Sequence, residues 1–209
     1  MKILEIHRKK TYYEIVTEFA VYELDGEFVR NYHIDSGSDM EKSILEELHH
    51  KSRFRRAYRR ACYLLDAREY SYAVMYQKLM QTYDDKELCQ KVMEQLVQCG
   101  AINDKRYAQK LAEYLIDCKH YGVFRVRQEM LRKGLDKHLI EEILAELEDS
   151  ANDYILEVLT KKYGRILVDP DDYHTREKVI AGMSRLGYPF ESIKNAIEDY
   201  FYQLENEEE

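Results

Sequence analysis

Residues 104–148 read DKRYAQKLAEYLIDCKHYGVFRVRQEMLRKGLDKHLIEEILAELE, and the fold is decided here. Apolar residues recur three and four positions apart in three successive runs, the spacing of helix faces turned inward. The runs predict helices over 104–117, 122–133 and 136–148. Gly134 stops the middle one, where a left-handed cap favours glycine, and Asp136 is placed to cap the next.

The same pattern recurs on either side. A shift of 51 residues sets Tyr63-Leu64-Leu65-Asp66 on Tyr114-Leu115-Ile116-Asp117 and Tyr70 on Tyr121. It also sets Leu79, Leu88, Cys89, Val92, Met93 and Leu96 on Met130, Leu139, Ile140, Ile143, Leu144 and Leu147. A further shift of 53 carries Met130, Gly134, Ile140, Leu144 and Leu147 onto Met183, Gly187, Ile193, Ile197 and Tyr200. Gly187 repeats the glycine stop, and Pro189 suits the first turn of the helix that follows. The first copy has Tyr83 where the glycine should stand, so its turn must differ. The third carries an insertion over 164–172. A unit of about 50 residues buries little alone, so stacked neighbours are expected to supply much of the core.

The N-terminal region has another texture. Residues 11–24 are rich in Tyr, Ile, Val, Thr and Phe, and residues 27–34 (EFVRNYHI) are similar, which reads as two strands. Asp25-Gly26 between them predicts a hairpin turn. Asp39 is placed to cap a helix through Ile44, Leu45 and Leu48. The expected fold is mainly α. It consists of three tandem three-helix repeats in an elongated curved array, preceded by a small N-terminal β-hairpin region. Its divisions are residues 1–50, 51–101, 102–149 and 150–209, the last ending in an acidic tail.

Composition bounds the function. Among 209 residues there are 8 glycines and 2 prolines, with 34% charged, as suits a helical chain. No apolar run approaches the roughly 18 residues that cross a bilayer, and the N-terminus has no secretory core segment, so a cytoplasmic monomer away from membranes is expected. Cys62, Cys89, Cys99 and Cys118 form no Cys-x-x-Cys pair. They read as free, buried or half-buried thiols with no metal.

The net charge of −8 is unevenly spread. Residues 1–50 hold 6 positive and 11 negative side chains, and residues 149–209 hold 7 and 14. Between them, residues 51–68 hold seven positive charges against Asp66 alone. Such acidic ends argue against a general nucleic-acid coat and leave room for one local basic contact.

At about 100° per residue, Arg55, Arg56, Arg59 and Arg60 fall opposite the stripe of Phe54, Tyr58, Ala61 and Leu65. Four guanidinium groups on one face read either as an anchor for acidic protein or phosphate, or as a solvated face neutralised by the acidic N-terminal region. Arg125 and Arg132 project to one side of the middle helix of the second unit, with Arg127 near them. Lys133 sits at that helix's negative end. The 19 tyrosines, without tryptophan, read as packing residues rather than base-stacking platforms. The histidines do not pair at ligand spacing, and no P-loop, nucleophile elbow or His-Glu-x-x-His pair is present. Neither an enzyme nor a cofactor is expected.

One family shows these residues in this order. Arg68-Glu69-Tyr70-Ser71 precedes the helix pair over 79–100 and then Ile102-Asn103-Asp104-Lys105-Arg106-Tyr107-Ala108. Arg125-Val126-Arg127-Gln128-Glu129-Met130 follows with Lys133-Gly134-Leu135, and Gly187-Tyr188 precedes Ile193 and Ile197. Over about residues 53–202 the sequence resembles the RecX regulatory protein family, and the preceding Asp25-Gly26 segment is similar to that family's N-terminal extension. The resemblance implies an all-helical modulator of the RecA recombinase. Such a protein binds the RecA filament along its groove or at its growing end and limits strand exchange and ATP hydrolysis. The expected contact surface is Arg55, Arg56, Arg59 and Arg60, backed by Arg125, Arg127 and Arg132. A DNA-binding helical module using the same arginines, or a generic helical scaffold, are the alternatives.

Overall fold

The computed structural model describes residues 1–207, so the last two glutamates of the acidic tail lie outside the described residues. The chain divides into two compact units, Met1–Glu69 with Met75–Ile102, and Tyr70–Val74 with Asn103–Glu209.

The first unit opens with an antiparallel sheet in the order β1 (Ile3–Arg8), β2 (Tyr13–Thr17), β3 (Val21–Leu24). The segment 11–24 is thus two strands with its own turn. Thr17 makes that turn: its hydroxyl donates to the Ala20 carbonyl at 2.8 Å and accepts the Ala20 amide at 3.1 Å. Asp25-Gly26 is accordingly not a hairpin turn, and most of EFVRNYHI is helix α1 (Gly26–Asn31) rather than a strand. The Asp25 amide donates to the Ser52 hydroxyl at 2.8 Å, which leads the chain off the sheet, and the Asp25 carbonyl accepts the first helical amides of Phe28 and Val29. Gly26 is needed for space, because a Cβ there would lie 2.9 Å from the Tyr13 ring. Ile3, Ile15, Tyr22 and Leu24 from the sheet pack with Phe28, Ile34, Leu45 and Leu48 into one core.

Helix α2 (Lys42–Ala67) runs unbroken through the boundary expected between residues 50 and 51. Its N-cap is Glu41; Asp39, the expected cap, is held instead in a bridge with Lys2. Helices α3 (Tyr72–Tyr83) and α4 (Lys86–Gln98) follow. In the tight turn between them Asp84 takes the left-handed conformation at φ 46°, one position beyond Tyr83. Asp85 then caps α4 by accepting the Leu88 amide at 3.0 Å. Leu79, Leu88, Cys89, Val92, Met93 and Leu96, the positions matched in the repeat, are all buried.

The second unit contains α5 (Asp104–Glu113), which continues as one wide turn through Cys118, then α6 (Val123–Arg132) and α7 (Lys137–Asp153). Helices α8 (Ile155–Tyr163), α9 (Tyr173–Leu186) and α10 (Phe190–Glu207) complete it. Gly134 and Gly187 hold φ of 70° and 96°, so both predicted stops are left-handed caps. Asp136 accepts the amides of His138 and Leu139, as its cap position predicts. The insertion over 164–172 is the loop between α8 and α9, and Pro189 lies just before α10, its carbonyl accepting the Ile193 amide. The Gly187 turn meets the start of α6: the Gly122 amide donates to the Leu186 carbonyl, and a Cβ at Gly122 or Gly187 would come within 2.3 Å of backbone atoms. Met130, Ile140, Ile143 and Leu144 form one core, and Met183, Ile193, Ile197 and Tyr200 belong to another.

Two packing expectations fail in part. Tyr63, Tyr114, Tyr173 and Tyr202 are exposed, so tyrosine is not uniformly a core residue in this chain. Cys99 and Cys118 are exposed because each stands where a helix ends, whereas Cys89 is buried and Cys62 half-buried.

Candidate functional site

The basic face of α2 borders a cleft of about 710 Å³ in the first unit. His49, Arg53, Arg56 and Arg60 stand at i, i+4, i+7 and i+11, so one stripe of α2 lines it, with Arg59 alongside. The turn before β2 contributes Tyr12, β3 contributes Glu23, and the end of α3 contributes Tyr83.

The helix wheel sets the four arginines opposite the apolar stripe as though that side faced water. The sheet and α1 cover part of it. Arg56 keeps only 11% of its side-chain exposure, with an ion pair to Glu23, Asp25 at 3.7 Å and the Tyr12 ring centroid 4.5 Å from its guanidinium. Arg55 pairs with Glu27 at 2.9 Å and lies over Phe28 at 4.7 Å. These two arginines are therefore neutralised by the acidic N-terminal region. Arg59 and Arg60 differ: both are exposed, and neither has a carboxylate partner among the described residues. Arg60 lies near the Tyr63 ring, at 5.7 Å.

Arg53 is a cleft residue outside the expected contact set. It donates to Asp85 at 2.7 Å and to the Tyr83 carbonyl at 3.3 Å, tying α2 to the turn before α4. The four-and-three spacing from His49 through Arg60 was the available signal for it. The pairing leaves clear marks on acidity. The Leu88 amide, and then Arg53, hold the Asp85 carboxyl below its ordinary range. Burial pushes Asp25 up, while Arg56, Arg59 and Arg55 pull it back. Burial, reinforced by Arg53, lowers the pKa of His49, whose Nδ1 accepts the Glu23 amide at 2.8 Å. The lining thus carries four arginines, a histidine held toward neutrality, and Glu23 as its one carboxylate.

The second set of arginines lies in the second unit, on α6. Arg127 makes a forked pair with Glu141 at 2.9 and 2.7 Å. Arg125 and Arg132 converge on Glu129 between them, Arg125 at 3.2 Å. Each of the three already has a carboxylate. Among the described residues, no group of three or more His, Cys, Asp and Glu side chains is placed to hold a metal ion, and no helix is long and apolar enough to cross a membrane.

This architecture defines a class: a mainly helical protein with a small N-terminal three-stranded sheet and a basic cleft beside α2. Residues 103–144 match the family described as RecX, second three-helix domain. A protein of Chlorobium phaeobacteroides named regulatory protein RecX is 28% identical over 147 residues, spanning 70% of this chain and 95% of that one. Two solved structures share the fold. A regulatory protein RecX aligns over 93% of this chain and 98% of its own at a TM-score of 0.68 and 18% identity. RecX from Lactobacillus salivarius aligns over 72% and 97% at 0.66 and 17%. The chain is thus similar in sequence to proteins named regulatory protein RecX and shares the fold of two solved RecX structures.

Proposed function

We propose that this protein is a non-enzymatic regulator that binds the RecA nucleoprotein filament and shifts it toward disassembly, lowering recombinase and ATPase activity. The family supports the regulatory reading, and the residues of α2 support the place of contact. Arg59 and Arg60 carry the proposal: they are exposed guanidinium groups without an internal carboxylate, on the helix where every neighbouring arginine toward the sheet is already paired. Arginine of this kind meets carboxylates through two parallel hydrogen bonds and so suits an acidic protein surface. Arg55 and Arg56 serve that surface by holding α2 against the sheet. Arg125, Arg127 and Arg132 are weaker contact candidates, since a partner would have to displace Glu129 or Glu141. We read residues 51–101, 102–149 and 150–209 as copies of one unit, supported by the burial of most of the matched apolar positions.

Regulation requires a difference in affinity between filament states, because a ligand that binds all states equally shifts nothing. The test is retention by immobilised RecA, with and without single-stranded DNA. Retention that rises when RecA is assembled on DNA is the expected result. Binding to DNA alone, falling steeply with salt, would transfer the arginines to phosphate recognition. Retention by neither would leave a helical scaffold with another partner.

A further inference from the structure

We propose that the cleft between α2, the sheet and the end of α3 is a binding site for a compact polyphosphate ligand of the size and charge of a nucleoside triphosphate. This goes beyond the filament reading and does not depend on it, since occupancy is measured with the chain alone.

Charge comes first. Arg53, Arg56, Arg59 and Arg60 line the cleft against one carboxylate, Glu23, which is engaged by Arg56. Arg53 is occupied by Asp85. Two guanidinium groups are left over, on adjacent residues about 100° apart around the helix. Both nevertheless line the same cleft, so it wraps the corner of α2 and presents donors from two directions. A single carboxylate offers its oxygens in one plane and fits one fork. A phosphate chain offers oxygens on all sides and satisfies two.

Size and shape come next. The volume of about 710 Å³ lies within the range of small-ligand sites, roughly 300–1,000 Å³. Tyr12 and Tyr83 line it from the turn before β2 and from α3, giving aromatic surface for a base beside the phosphates. The Tyr83 phenol, whose pKa burial raises against the pull of Arg56 and Arg60, offers a neutral hydroxyl donor. An extended nucleic-acid strand fits less well than a compact anion. The sheet side of the cleft is built by the first 50 residues, which carry 6 positive and 11 negative side chains, so a strand leaving the cleft on that side meets repulsion.

Isothermal titration calorimetry of the full chain with ATP, inorganic triphosphate, adenosine and a twelve-residue oligothymidylate tests this. ATP and triphosphate should bind with one site per chain, ATP more tightly, and adenosine should give no heat. Arg59→Gln and Arg60→Gln, singly and together, should weaken ATP binding, the double variant by about tenfold or more. Circular dichroism and thermal melting should match the parent, and the two single variants keep the test open if the double one melts early. No heat from ATP or triphosphate, binding that ignores both substitutions, or binding of the oligonucleotide alone would overturn the proposal.

Discussion

His49 couples the sheet to α2 through a single hydrogen bond whose acceptor is lost on protonation. Its Nδ1 accepts the Glu23 amide at 2.8 Å, and burial with Arg53 nearby keeps its native pKa below the ordinary value of about 6.5. Between those two values the unfolded chain binds a proton that the native chain does not, so stability rises with pH across that window. Acidifying from about pH 7.5 to about 5.5 should lower the Tm. His49→Asn, whose amide oxygen can take the same N–H without titrating, should flatten that dependence. Equal slopes for the two proteins would remove His49 from the account. None of this was legible in the sequence, where the histidines show only that they do not pair at ligand spacing. The bond spans 26 residues and depends on β3, which the sequence reading merged with β2 into one strand.

At the scale of elements, α2 shows what periodicity can and cannot convey. The clustering of four arginines on one face was readable, because a 3.6-residue repeat fixes angle around the axis. What covers that face was not, since the answer lies in Glu23, Asp25 and Glu27, some thirty residues upstream. The hairpin misreading has the same root. Asp-Gly suits a two-residue turn and the start of a helix alike, and the bond from the Asp25 amide to Ser52 decides between them. The structure now separates the arginines into two kinds. Arg56→Ala should destabilise by about 2–3 kcal/mol, because it leaves Asp25 buried without its counter-charge. Arg59→Ala should change stability by less than about 0.5 kcal/mol, as expected of an exposed side chain without an ion pair. Urea titrations of the two variants check this; similar losses would mean that Arg59 is structural as well.

For the molecule as a whole, the helical periodicity was the most legible feature. Most of the apolar positions matched by shifts of 51 and 53 are buried or packed against a core, Tyr63 and Tyr114 being exposed exceptions, and both glycine stops take positive φ. Helix faces and left-handed caps are local requirements, so they leave a mark in a single sequence. Beyond the arginine stripe of α2 the cleft left none, because its other residues come from strands, a turn and the end of another helix. The overall charge of −8 makes the uncompensated pair on α2 the more distinctive, and it is there that the proposed regulation has to be felt. The decisive measurement is the rate of ATP hydrolysis by RecA on single-stranded DNA as this protein is added. The parent chain should suppress the rate, and Arg59→Glu with Arg60→Glu should raise the half-inhibitory concentration by about tenfold or more at unaltered helicity. Suppression undiminished by that double reversal would contradict the assignment of this face to the filament.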